Sequence, residues 1–348
     1  MGKLLSILLP TSNRGAILCK SLPLLAEQIK RNKDLVELII CDNASSDDSL
    51  KILRSMQDQD HFFEIKRYTE REDDVGASIA RCADNGTGEY INFWSDDDIP
   101  SPFMVDAMLN VLRNHPNVAC VMMNRMEGYS PSGHLIPLLP INGVGVLNRT
   151  YTGEEICYTS AEDFIYAHAR HFGFIGNFVV RRSAWNKGMQ YYSREHLGYQ
   201  FQAPLLCGLH GCECVYLNYP LLIQRQIKPR YINQWPLYLY VGYARVCKAI
   251  ERAGVVRDWR KIYNGYRFVG SLHRDFWNVT HICIPNRTIY LPYVDEMISN
   301  QTSKLTKVVF SLIRVPAWLS CVPKFLFWLT MSSLLGCISR KIVRRIIR

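Results

Sequence analysis

The chain has 348 residues, 48% hydrophobic and 21% charged, enough apolar surface for a substantial core and too much for a disordered protein. Its net charge of +10 sits at one end: residues 304–348 carry nine basic side chains and no acid, leaving 32 basic against 31 acidic residues elsewhere. The near-neutral body argues against nucleic acid as a partner, and the tail is apolar as well as basic, which suits a membrane surface.

The first residues run directly into an apolar strand, with no h-region or small-residue cleavage site. No signal peptide is expected, the twelve cysteines are expected to be reduced, and the Asn-x-Thr patterns at Asn148, Asn278, Asn286 and Asn300 are read as accidental. Residues 4–9 form a near-continuous apolar run, expected as a strand covered on both faces and ended by Pro10-Thr11-Ser12-Asn13-Arg14. Leu18, Leu22, Leu25 and Ile29 follow at helical spacing. A second strand over 35–41 stops at a polar cluster, 42–48, which also caps a helix carrying Leu50, Leu53 and Met56. A third strand over 62–68 and a short helix over 76–85 lead to a fourth strand, which ends in Ser95-Asp96-Asp97-Asp98 before Pro100.

This alternation predicts an α/β fold with a mostly parallel sheet and helices on both faces. Ligands of such sheets bind beyond the carboxyl ends of the strands, where Thr11, Asp42 and Asp96 to Asp98 all fall. Consecutive carboxylates there offer hard oxygen ligands for Mg²⁺ or Mn²⁺, completed by phosphate oxygens; a solvated Asp-rich turn is the plain alternative.

Beyond the acids, residues 102–114 read as an amphipathic helix, 118–125 as an apolar strand, 128–148 as Gly- and Pro-rich loops, and 159–172 as a helix. Cys207, His210, Cys212 and Cys214 match no common zinc spacing and read as buried thiols beside a strand. Residues 216–230 contain a strand with Arg225 and Arg230, which fit a lipid-linked diphosphate or a solvated loop equally; 237–253 reads as a helix. The longest uncharged run of the tail, 325–339, has 15 residues. That is short of the ~20 needed to span a bilayer. With Arg340, Lys341, Arg344, Arg345 and Arg348 behind it, the tail is expected to lie in the membrane interface; packing on the body or an oligomer contact is the alternative.

Four ordered blocks, Leu8-Leu9-Pro10-Thr11-Ser12-Asn13-Arg14, Ile39-Ile40-Cys41-Asp42-Asn43-Ala44-Ser45-Ser46-Asp47-Asp48, Gly76 with Arg81, and Gly88-Glu89-Tyr90-Ile91 leading into Asp96-Asp97-Asp98, carry a resemblance. Together they resemble the inverting glycosyltransferases of family two, which have the GT-A fold. The Ser-Asp-Asp-Asp ending is most similar to the abequosyltransferase-type enzymes of O-antigen assembly. The chain departs from the commonest pattern at Ser95, where many members carry an Asp, and at Cys82, where Asn usually follows the Arg.

The resemblance implies that Pro10, Thr11, Arg14, Asp42, Arg81, Asp96 and Asp97 bind a nucleotide-diphosphate sugar, and that Asp96 and Asp98 hold Mg²⁺ or Mn²⁺. Arg14 as a surface charge and Asp42 as an Asx-turn or cap residue are the plain alternatives. Residues 174–185, with the paired Arg181 and Arg182, are similar to the strand that precedes the acceptor side. The usual Glu-Asp pair is missing beyond it, in 192–200. Glu195 is therefore the first candidate for the base that takes the acceptor proton, His196 the second, and Glu162 and Asp163 more remote.

The expected organisation is a GT-A domain over 1–230 (nucleotide-sugar half 1–125, acceptor half 126–230), a helical extension over 231–303, and a basic amphipathic membrane-associating tail over 304–348. The implied partners are the sugar donor, a polyprenyl-diphosphate-linked saccharide acceptor and an anionic membrane surface, at the cytoplasmic face of the inner membrane. A non-catalytic nucleotide-sugar or lipid-binding scaffold on the same fold is the second class. A nucleotidyltransferase has no Gly-rich, Lys-containing phosphate loop near the N-terminus to support it.

Overall fold

The computed structural model describes residues 2–129, 136–140, 154–226, 233–266 and 272–314. They fall in two compact units, Met1–Arg230 with Arg245–Arg267, and Tyr231–Ala244 with Phe268–Arg348. The segment expected as a helical extension is thus shared between the two.

In the first unit the alternation is β1 (Leu5–Thr11), α1 (Gly15–Arg31), β2 (Val36–Asp42), α2 (Ser49–Gln59), β3 (Glu64–Arg67), α3 (Val75–Ala80) and β4 (Tyr90–Phe93). These four strands are parallel, in the order β3-β2-β1-β4. Register places Thr11 opposite Asp42, so both strands end together. Pro10 lies beyond the last β1 residue that pairs with β4, so its missing N–H opens no gap on that side. β1, β2 and β4 are buried on both faces, as their apolar runs require, whereas the edge strand β3 is largely exposed. Leu18, Leu22, Leu25 and Ile29 of α1 pack with Met104, Val105, Met108 and Leu109 of α4 (Met104–Asn114) in one hydrophobic cluster with the strands.

The remaining strands make the sheet mixed. β5 (Ile99–Pro100), β6 (Cys120–Tyr129), β7 (Ile136–Pro140), β8 (Glu155–Tyr158), β9 (Phe178–Arg181) and β10 (Cys214–Gln226) continue it, in the order β4-β9-β6-β10-β5, with β7 on β6 and β8 on β10. β9 is antiparallel to both β4 and β6, and β10 runs parallel to β6. β7 falls in a stretch expected as loops: its Ile136 pairs with Tyr129, and Pro137 and Pro140 are tolerated because, among the described residues, β7 has only β6 beside it. Residues 130–135 and 141–153 lie outside the described residues.

In the second unit, Tyr240 donates to Asp275 Oδ1 (2.6 Å) and accepts from Asn278 Nδ2 (2.8 Å). The tail expected from residue 304 begins as a packed helix, Lys304–Ser311. Its Thr306, Val309 and Phe310 are buried, with the Phe310 ring 4.6 Å from Tyr240, while Leu305 and Val308 are exposed. Residues 315–348, with Arg340 to Arg348, lie outside the described residues. No helix among the described residues is long and apolar enough to cross a membrane.

Candidate active site

The ends of β1, β2 and β4 are laced together by short polar side chains. Thr11 Oγ1 donates to Asp96 Oδ2 (2.9 Å), and Ser21 Oγ of α1 donates to the Asp96 carbonyl (2.9 Å). Asn13, at φ +54°, accepts from Ser46 N (2.8 Å) through its side chain, joining the loops after β1 and β2. Asp42 is fully buried and accepts from Ser45 N (3.3 Å), three residues on, and from Ser45 Oγ, with the exposed Arg67 Nε 3.8 Å away. Arg14 is half-buried at the start of α1, and its guanidinium has no hydrogen bond or ion pair among the described residues. Arg81 lies over the Tyr68 ring (3.7 Å) and donates to Asn43 Oδ1 and the Glu70 carbonyl (3.2 Å), so it braces the loops after β2 and β3.

The acid triplet is a tight turn between β4 and β5, so the turn reading and the site reading describe the same residues. Ser95 Oγ donates to Asp97 Oδ1 (2.6 Å) and Asp98 N to the Ser95 carbonyl (3.4 Å). Asp96 and Asp97 are half-buried, and Asp98 is 1% exposed. The far wall comes from the turn entering β9. Asn92, buried within apolar β4, donates to the carbonyls of Gly176 (3.2 Å) and Phe178 (2.7 Å). That anchor puts Gly176 against the triplet: a Cβ there would lie 3.3 Å from Asp98 Oδ2 and 3.1 Å from the Phe174 ring. Behind it, the buried Arg125 guanidinium lies 4.5 Å from that ring.

The candidate bases are separated by the fold. Glu195 sits on a single turn, Arg194–His196, with 81% of its side chain exposed and Arg245 Nη1 4.0 Å from Oε2. His196 is 3% exposed, and burial, then the charges of Arg252 and Arg245, bring its pKa down to about 4. A buried imidazole of so low a pKa is a weak proton acceptor. Glu162 and Asp163 open α5 (Ala161–His168), just after the end of β8. β8 is antiparallel to β10, with Tyr158 opposite Cys214, the first residue of β10. These two acids therefore start at the amino edge of the sheet, opposite the triplet, and Glu162 accepts from Arg257 N (2.8 Å).

Residues 6–188 match Glycosyl transferase family 2. The chain belongs to that family. A curated relative, the GalNAc(5)-diNAcBac-PP-undecaprenol beta-1,3-glucosyltransferase of Campylobacter jejuni subsp. jejuni serotype O:2, is 24% identical over 333 residues, 89% of this chain and 99% of that protein. Among solved structures, S. aureus TarS 1-349 aligns with a TM-score of 0.59 at 12% identity, covering 92% of this chain and 87% of that one. Its complex with UDP-GlcNAc aligns at 0.56 and 10% identity, covering 92% and 88%. The fold of this family-two glycosyltransferase is GT-A: a mixed α/β sheet with Thr11, Asp42 and the acid triplet at the carboxyl ends of β1, β2 and β4.

Among the described residues no three His, Cys, Asp or Glu side chains converge into a metal-holding cluster. The chemistry of the triplet nonetheless fits a divalent cation shared with a donor, because Asp96 and Asp98 supply hard oxygens and diphosphate oxygens supply more. Cys207 and Cys214 are buried, Cys214 as the first residue of β10, and His210 Nδ1 bonds to the Gly254 carbonyl (2.9 Å). Sequence reasoning missed Asn92, although a lone amide inside an apolar strand was a signal; Gly176 stood out with the paired arginines of its segment, but not as a neighbour of the acid triplet.

Proposed function

We propose that this glycosyltransferase moves a sugar, with inversion, from a nucleotide-diphosphate sugar to a hydroxyl of a saccharide carried on a polyprenyl diphosphate, at the cytoplasmic face of the inner membrane. The observation that carries the reading is the acid turn: Asp98 buried against Gly176, and Asp96 fixed by Thr11 at the carboxyl end of the central strands. The lipid-linked acceptor is supported by the name of the Campylobacter relative, which covers nearly its whole length.

Asp96 and Asp98 would hold Mg²⁺ or Mn²⁺ against the diphosphate, with Thr11, Arg14, Asp42 and Asp97 on the nucleotide side. The bound ion supplies positive charge to the leaving diphosphate as its negative charge grows. Glu195 takes the proton of the acceptor hydroxyl while that oxygen forms its bond to the anomeric carbon and the bond to the diphosphate oxygen breaks; one displacement inverts the centre. Glu195 is preferred to His196 because its carboxylate is exposed to an arriving acceptor. No observation favours the scaffold reading.

The test is release of nucleoside diphosphate from a panel of nucleotide sugars, with and without Mn²⁺. One donor should turn over, and Asp98→Asn should lower that turnover by roughly 10²–10³-fold in a folded protein. Full activity of Asp98→Asn, or binding without turnover across the panel, overturns the proposal.

A further inference from the structure

The loop that carries Glu195 is docked on the segment after β3. Arg194 Nη2 lies 2.8 Å from Glu72 Oε2, and Gly198 N donates to Asp74 Oδ2 (3.2 Å). The two segments approach so closely that a Cβ on Gly76 would lie 2.7 Å from the Gly198 carbonyl oxygen and 2.2 Å from Gln200 Oε1. Leu197 and Gly198 turn through φ +38° and +75° to make that approach. From the other side, Arg245 Nη1 donates to the Glu195 carbonyl (2.9 Å). The main chain of Glu195 is therefore gripped from two directions while its carboxylate stays exposed.

Glu72 is itself tied to the end of β2. Asn43, the residue after Asp42, donates through Nδ2 to the Glu72 carbonyl and accepts Glu72 N at Oδ1, both at 2.8 Å. Arg81 donates to the same Asn43 oxygen. Glu72 also accepts from Asp74 N (3.2 Å), and its side chain is 16% exposed. Burial works against its charge, but Arg194 and the Asp74 amide outweigh it and hold the carboxyl below its ordinary range.

We propose that Glu72 and Arg194 are positioning residues that latch the Glu195 loop to the nucleotide-binding end of β2, so that the sheet end that receives the donor also sets the place of the base. Neither side chain touches the reacting atoms. The latch acts through Asn43 on one side and the 193–200 loop on the other. It rests on Glu195 being the base, and it assigns to this pair the geometry of transfer rather than the affinity for donor.

The experiment compares wild type, Glu72→Gln, Arg194→Ala, Arg194→Lys, the Glu72→Gln/Arg194→Ala double variant and Glu195→Gln, with the donor found in the nucleotide-sugar panel and an undecaprenyl-diphosphate saccharide. Glu72→Gln keeps an oxygen for Asp74 N and loses the charge. It and Arg194→Ala should each lower kcat of transfer about ten- to hundredfold, with donor affinity unchanged within about twofold and an unchanged Tm. The double variant should be no worse than the worse single, and Arg194→Lys should recover part of the rate. Because Arg194 is 72% exposed, rising salt should slow the wild type towards the variants and leave the variants unmoved.

Wild-type kcat in both single variants, or effects that multiply in the double, overturns the latch. So does a rate loss that follows Tm and is not restored by Arg194→Lys. If Glu195→Gln is inactive and the latch variants are normal, the latch alone fails. If Glu195→Gln is fully active while the latch variants are slow, the base assignment fails and the latch positions another group of the same loop.

Discussion

Gly176 occupies a place where the smallest side chain meets a carboxylate. An added methyl would press on Asp98 Oδ2 at 3.3 Å and on the Phe174 ring at 3.1 Å, both within a buried wall. Overpacking of this kind costs about 1–3 kcal/mol, and a displaced acid costs rate as well. Gly176→Ala is therefore expected to raise the Mn²⁺ concentration needed for half-maximal turnover several-fold with only a modest fall in Tm; unchanged Mn²⁺ dependence would separate this wall from the metal. The triplet itself was legible, because three acids and a proline after an apolar run announce a strand end. Its wall was not, since Gly176 is 78 positions from Asp98 in sequence and only the pairing of β9 with β4 brings them together. Glu195 stood first among the candidate bases by its place in the sequence alone; the burial of His196 and the strand direction that sets Glu162 and Asp163 at the other edge support that proposal and were not legible.

At the scale of elements, β1, β2 and the entry to β4 are joined at the edge opposite the acids by one carboxylate. Glu37 accepts from Ser6 Oγ (2.6 Å), Thr87 Oγ1 (2.9 Å) and Gly88 N (3.1 Å). Burial raises its pKa, but the Ser6, Thr87 and Gly88 hydrogen bonds outweigh it, so the folded value lies below the ordinary 4.5. The sign follows: the stabilisation is fully present above the unfolded value and is lost as pH falls through the lowered folded one. Glu37→Gln should cost about 1–2 kcal/mol at neutral pH, allowing for its partial exposure, and the gap to wild type in urea midpoint should close at acid pH. A gap that persists in acid would assign the loss to shape rather than charge. The parallel half of the sheet was legible from apolar runs alternating with helical spacing, since burial on both faces leaves that mark. The order β4-β9-β6 was not, because an antiparallel strand inserted from afar has the same composition as a parallel neighbour. β7 was missed for a related reason: Ile136-Pro137-Leu138-Leu139-Pro140 has no alternation, and its pairing comes from β6 alone.

For the whole molecule, the membrane question moves to a shorter segment than the sequence implied. Cutting at residue 303 would remove Phe310 from its packing on Tyr240. Cutting after Arg314 spares that helix and still removes six basic residues and no acid, along with Trp318, Phe325, Phe327 and Trp328. With roughly 1 kcal/mol from each basic residue near an anionic surface, and an apolar contribution that salt does not screen, the chain ending at Arg314 should fail to float with anionic liposomes. The full chain should be released only partly by high salt. Flotation of the shortened chain would place the membrane contact in the described body, where Leu305 and Val308 are already exposed. The position of β9 has a consequence for how the chain is made. On the ribosome β4 and β6 are both synthesised before the strand that separates them, so the nascent protein carries two facing, unpaired edges with a slot between them. Until residues 178–181 arrive, that slot is open to any other strand, and chaperone demand should peak in that interval. The short strand that fills it also delivers the turn against Asp98, so the gap between β4 and β6 and the wall beside the acid triplet close in one event.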